Sequence, residues 1–110
     1  MNLPESDRAF VASVKAVEYL LAEDHPDGGP KARFFTEHGF RQDQSAEFVD
    51  ALLRHGRENQ VILTRDTPWG MRYTVQGTMR LPDGSEHVVW TVWQFDLGTD
   101  FPRLLTAHAV

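Results

Sequence analysis

Gly70-Met71-Arg72-Tyr73-Thr74-Val75-Gln76-Gly77-Thr78-Met79-Arg80-Leu81 runs into Pro82-Asp83-Gly84 and out again as Ser85-Glu86-His87-Val88-Val89-Trp90-Thr91-Val92-Trp93-Gln94-Phe95-Asp96-Leu97. Two runs rich in β-branched and aromatic residues flank a turn tripeptide, the signature of a β-hairpin. Pro82 presets the first turn position, Asp83 tolerates the second, and Gly84 supplies the positive φ of a bulge. Pairing Leu81 with Ser85 sets the register: Tyr73 faces Trp93, Val75 faces Thr91 and Met71 faces Phe95. The alternate set is Arg72 with Gln94, Thr74 with Val92, Gln76 with Trp90, and Arg80 with Glu86. Odd-numbered positions form an apolar face and even-numbered ones a polar face that carries a Trp. A slip of one residue would exchange the two faces.

Outward from this hairpin, the bulk numbers narrow the class. The chain has 110 residues, of which 41% are hydrophobic and 25% charged. That balance fits one globular domain with a single core. No apolar run approaches the roughly 20 residues of a membrane span. The first residues lack the basic and apolar regions of a signal peptide, so the expected location is cytoplasmic. Without cysteine there are no disulfides and no thiolate metal ligands. A formal net charge of −5 argues against broad nonspecific nucleic-acid binding but leaves room for a local basic site.

Upstream, Val14, Val17 and Leu21 recur at helical spacing, predicting a helix over about Ser13–Ala22. Residues 24–29 have loop composition. Pro30 suits the first turn of a second helix, and Gly39 the residue just past its end. A third helix starts near Asp43 or Ser45, buries Phe48, Val49, Leu52 and Leu53, and ends at Gly56. Val61–Thr64 precedes the hairpin as a strand, and Arg103–Val110 follows it as another. The expected fold is α+β: about three N-terminal helices packed on one face of a four-stranded antiparallel sheet.

Three places could carry chemistry. The first is His25 with Gly28-Gly29-Pro30-Lys31-Ala32-Arg33. There glycines and a helix start could receive an anion, and Lys31 and Arg33 add charge. The plain alternative is a loop-to-helix junction with solvated basic residues. The second is the polar sheet face, with Arg72, Gln76, Trp90 and Gln94, where an indole beside a cation can stack a base or hold a phosphate. A Trp covered by a loop or by a second subunit is the alternative. The third is the last strand, whose register has two solutions. Pairing Asp96 with Arg103 sends Leu104, Thr106 and His108 into the core. Shifting by one sends Leu105, Ala107 and Ala109 inward and sets Thr106 and His108 beside Trp90. The small apolar second set makes the better inner face. The five histidines show no metal-ligand spacing, and no cofactor or metal is expected.

Tyr19-Leu20-Leu21, His25-Pro26, Lys31-Ala32-Arg33-Phe34-Phe35 and Gly39-Phe40 resemble the front half of a bacterial family of small domains of unknown function. Pro68-x-Gly70, Leu81-Pro82-Asp83-Gly84, Thr91-Val92-Trp93, Asp96 and Pro102-Arg103-Leu104-x-Thr106-Ala107 resemble its back half. The family pattern ends Thr-Ala-Tyr-Pro, whereas here His108 stands at the Tyr position. The layout is also similar, at fold level, to the barnase–EndoU–colicin–RelE class of ribonuclease toxins. That similarity implies a metal-independent ribonuclease acting on RNA or a small anionic ligand, with His25, Lys31, Arg103, Thr106 and His108 catalytic. Arg33, Arg72, Gln76 and Trp90 would bind the ligand. The acidic composition suits a second reading: a non-enzymatic domain, homodimeric or bound to another protein through the Trp90 face.

Overall fold

The computed structural model describes residues 1–24 and 29–110. Its frame is a four-stranded antiparallel meander in the order β1-β2-β3-β4, with β1 Gln60–Thr67, β2 Gly70–Arg80, β3 Glu86–Asp96 and β4 Arg103–Ala109. The central hairpin has the expected register throughout, from Met71 opposite Phe95 to Arg80 opposite Glu86. The Leu81 amide donates to the Ser85 carbonyl, and Gly84 takes φ +89°. Val75, Val89, Thr91 and Trp93 lie fully buried under the helices, so the odd-numbered face is the inner one.

Three helical segments precede the sheet: α1 over Ser13–Lys15, widening into a π turn over Ala16–Leu20; α2 over Gly29–Glu37; and α3 over Ser45–Glu58. In the π turn the Leu21 amide bonds to the Ala16 carbonyl. This wider turn brings Ala16, Leu20 and Leu21 inward together. Val14, expected on the buried stripe, is 64% exposed instead. The end of α2 follows its sequence signal. Gly39 takes φ +109°, its amide bonds to Thr36 O and the Phe40 amide to Phe35 O, a Schellman closure. Phe35, Phe48 and Leu52 then meet Trp93, Val75 and Leu104 in one core.

Helix-stop chemistry places the end of α3 at Gly56, but the helix runs on to Glu58. The glycine is there for packing: a Cβ at this position would stand 2.7 Å from Trp93 Cζ2. Helix propensity alone favours Gly56→Ala by about 1 kcal/mol. Overpacking costs about 1–3 kcal/mol and outweighs it. Gly56→Ala is therefore expected to lower the urea midpoint of unfolding; a rise would show that the contact yields freely.

His55 is buried on the face of α3 that carries Phe48 and Leu52, at i, i+4, i+7 spacing, next to the Gly56 that meets the Trp93 ring. Its Nε2 donates to the carbonyls of Gly77 and Val89 at 3.0 and 2.9 Å. Carbonyls only accept, so Nδ1 is bare and takes the Thr91 hydroxyl at 2.8 Å, while Trp93 Nε1 donates to the same Thr91 oxygen. Burial pushes the imidazole pKa below its ordinary value of 6.5. Above that value both folded and unfolded chains hold His55 neutral. Below it the unfolded chain protonates first, so stability falls with pH. Wild-type unfolding midpoints are expected to drop as pH falls from about 7.5 to about 5.5, and His55→Gln to flatten that slope.

Both sheet edges are partly closed. The Val61 amide donates to the Met1 carbonyl beside an Asn2–Gln60 bridge, and Phe10 bridges Arg103 in parallel.

Candidate functional site

The uncovered face of the sheet is built by registers at its two ends. On β4, Thr91 pairs with Ala107 and Trp90 with His108, as in the shifted register, but Trp93 pairs with Leu104. Neither expected register holds over the whole strand: Arg103 lies opposite Gln94 rather than Asp96, and Leu105, expected inward, is the extra residue of a bulge while Leu104 takes the inner place. One extra residue lets Leu104 and Ala107 both point inward while Thr106 and His108 join Trp90 outside. A second bulge at Ile62 in β1 does the same service for Leu63 and Arg65, which lie opposite Thr74 and Arg72.

The outcome is a set of cross-strand rows. The first is Arg65–Arg72–Gln94–Arg103, one residue from each strand. The second is Leu63–Thr74–Val92–Thr106, and the third contains Gln76, Trp90 and His108. In the first row Arg72 Nη2 donates to Gln94 Oε1 at 3.0 Å, and Gln94 Nε2 donates to Asp96 Oδ1 at 2.6 Å. Arg103 grips the same carboxylate through Nε and Nη2, the bidentate geometry that a guanidinium favours. The Arg103 guanidinium, helped by the Gln94 amide, holds the Asp96 carboxyl below the usual carboxylate range. The Arg72 and Arg103 guanidinium groups are thus held in fixed directions on an open face.

In the third row Trp90 Nε1 donates to Gln76 Oε1, and the Trp90 and His108 rings lie 5.5 Å apart at 48°. His108 Nδ1 donates to the Ala109 carbonyl at 3.1 Å, so of the two tautomers of the neutral ring this bond selects the one with Nε2 bare. Between the rows, the Thr106 hydroxyl is buried yet, among the described residues, without a hydrogen-bond partner. A buried hydroxyl left unpaired costs about 1–3 kcal/mol, and a group that reached it would recover much of that.

Lys15, which no sequence signal singles out, stands at the β4 edge. Its Nζ donates to the Leu105 carbonyl freed by the bulge, at 2.9 Å. Burial first, and the nearby Arg103 charge second, push its pKa below the ordinary lysine value. Arg65 is likewise unannounced, because nothing in the sequence of β1 marks the bulge that turns it outward.

The face brings together Arg72, Gln76, Trp90, Arg103, Thr106 and His108 from the expected set. Lys31 and Arg33 stand exposed on α2, which packs through Ala32 and Phe35 into the helical layer. Arg33 Nε lies 3.7 Å from Glu23 Oε1, and among the described residues no hydrogen bond or ion pair ties Lys31 to the sheet face. His25 lies outside the described residues, as does Gly28.

Two other features are structural. His38, Asp83 and Ser85 have the residue types of a catalytic triad, but Asp83 Oδ2 and Ser85 Oγ meet the same Nδ1 of His38, at 2.7 and 3.3 Å. Asp83 Oδ1 takes both the hydroxyl and the amide of Ser85, which together with His38 hold its carboxyl far below the usual range. This arrangement locks the hairpin turn. A cleft of about 380 Å³ at the end of α3 is lined by Arg54, Glu58, Arg80 and Glu86, whose opposite charges offset one another.

Helices on one side of an antiparallel meander, with a cationic and aromatic face left open on the other, describe a small α+β protein that presents its sheet. The chain belongs to the family described as Domain of unknown function (DUF6883), whose model matches residues 2–110. No curated protein matches it significantly. Among solved structures it is similar to one chain of a contact-dependent growth inhibition toxin–immunity protein complex from Klebsiella pneumoniae 342, with TM-score 0.72 and 11% identity over 96% of each chain. At that identity the likeness is one of fold.

Among the described residues, no helix is long and apolar enough to cross a membrane.

Proposed function

We propose that this protein is a metal-independent ribonuclease of toxin-like fold, working on RNA phosphodiesters in the cytoplasm with the open face of its sheet. One observation carries the reading: the Leu105 bulge sets Thr106 and His108 on the same uncovered face as Arg72, Trp90 and Arg103. Metal-free cleavage needs a base for the 2′-hydroxyl and cations for the charge that builds on phosphorus. In the neutral ring His108 Nε2, left without a proton when Nδ1 donates to Ala109, takes the 2′-hydroxyl proton. The 2′-oxygen attacks the adjacent phosphorus, the P–O5′ bond breaks, and the leaving 5′-oxygen takes a proton from water, while the proton held on His108 returns to solvent. The products are a 2′,3′-cyclic phosphate and a 5′-hydroxyl. Arg72 and Arg103 face the phosphate, and the Thr106 hydroxyl supplies a further hydrogen bond.

Lys31 and Arg33, in the helical layer, take no part in this reading. The similar Klebsiella chain comes from a toxin–immunity protein complex, which supports a protein partner here that would cover the same face.

The test is cleavage of total and synthetic RNA in the presence of EDTA, by wild type, His108→Ala and Arg103→Ala. Loss of activity in both variants, with folding intact, supports the assignment. Absence of cleavage on any RNA, or activity untouched by both changes, overturns it.

A further inference from the structure

The row Arg65–Arg72–Gln94–Arg103 is longer than one scissile phosphate needs. Adjacent strands lie about 4.8 Å apart, so four residues in register span roughly 14 Å. Arg65 and Arg72 are directly opposed, a like-charge pairing that disfavours the sheet unless an anion joins them. Arg103 is neutralised by Asp96 and Arg72 rests against the neutral Gln94 amide, while Arg65 is exposed and makes no hydrogen bond or ion pair among the described residues. Three guanidinium groups against one carboxylate thus form a positive strip on a chain whose net charge is −5.

The strip runs beside the row of Leu63, Thr74, Val92 and Thr106, low over its last three members and capped at the β1 end by the exposed Leu63. Beyond that row lies the Trp90 ring, anchored by Gln76 and flanked by His108. Four residues along a strand put it about 13 Å from the strip. A ring held in this way accepts a base only if that base has left its own stack.

We infer that this face binds single-stranded nucleic acid, with consecutive phosphates on Arg65, Arg72 and Arg103 and an unpaired base against Trp90. Arg65 is then a substrate-binding residue on the strand farthest from the cleavage chemistry. The inference rests on the reading of the face as an RNA site and adds the form of the substrate and the direction in which it lies, across the strands.

Binding is measured apart from cleavage by fluorescence anisotropy with a short 2′-O-methyl RNA, single-stranded or in duplex, over a salt range of about 50–200 mM. The single strand is expected to bind at least about tenfold tighter than the duplex. Arg65→Gln is expected to reduce the slope of log K against log salt by about 0.7, the loss of one phosphate contact. Trp90→Ala is expected to weaken the single strand about tenfold or more. Equal binding of duplex and single strand, or a wild-type slope in Arg65→Gln, overturns the inference even if RNA is cleaved. Conversely, Arg65-dependent binding of the blocked strand without cleavage of ordinary RNA leaves this inference standing and removes the nuclease.

Discussion

His108→Ala is expected to slow RNA cleavage by about 10²–10⁴-fold, the contribution of a positioned general base. Arg103→Ala is expected to cost about 10²–10³-fold, the effect of removing one donor aimed at developing charge. Arg103 has two roles in the structure, since it faces outward and also clamps Asp96. Its loss leaves Asp96 as an uncompensated negative charge beside the phosphate, so Arg103→Ala acts by repulsion as well as by a missing hydrogen bond. Asp96→Asn in the Arg103→Ala background separates the two: partial recovery measures the repulsion. Thr106→Val gives a sharper discrimination. If the unpaired hydroxyl is only a packing defect, valine stabilises the fold and leaves the rate alone. If the hydroxyl meets substrate, the fold gains the same stability while the rate falls. Urea unfolding and cleavage, measured on one preparation, read both quantities.

The hairpin is legible in the sequence because three independent signals agree. Period-2 alternation marks the faces, Pro82-Asp83-Gly84 marks the turn, and Leu81 and Ser85 bound it, so every pair from Met71–Phe95 to Arg80–Glu86 can be written down. Gly39 is legible for the same kind of reason: a helix stripe ends and a residue free to take positive φ follows. Gly56 shows the limit of that signal. A stop glycine and a glycine pressed against a ring read alike, and only Trp93, distant in sequence, tells them apart. The open face is half legible. Arg72, Gln76 and Trp90 follow from hairpin parity, and Thr106 and His108 from choosing Leu105, Ala107 and Ala109 as the inner set, although Leu104 takes the inner place expected of Leu105. Arg65 and Lys15 depend on bulges at Ile62 and Leu105, and a bulge is set by which pairing satisfies both neighbouring strands at once. No local composition announces it.

Trp93→Ala is expected to destabilise the fold by about 3–5 kcal/mol, the range for deleting a fully buried large aromatic. The indole lies over Gly56 and between the cross-strand neighbours Tyr73 and Leu104, so little can move in to fill its space. Trp93→Phe keeps most of the packing and removes the bond to Thr91, whose hydroxyl still meets His55 Nδ1. Its cost is expected to be smaller, about 1–2 kcal/mol. The double change with Gly56 decides whether the ring itself sets that glycine. In the wild type a Cβ at position 56 collides with Cζ2. In Trp93→Ala the collision is gone, and only the helix-propensity gain of about 1 kcal/mol is left. Gly56→Ala should then destabilise the wild type and stabilise Trp93→Ala, a coupling of opposite signs that a double-mutant cycle in urea reads directly. If Gly56→Ala has the same sign in both backgrounds, the tight crossing of α3 over β3 is not what holds the helical layer to the inner face, and the separation of that layer from the open face needs another cause.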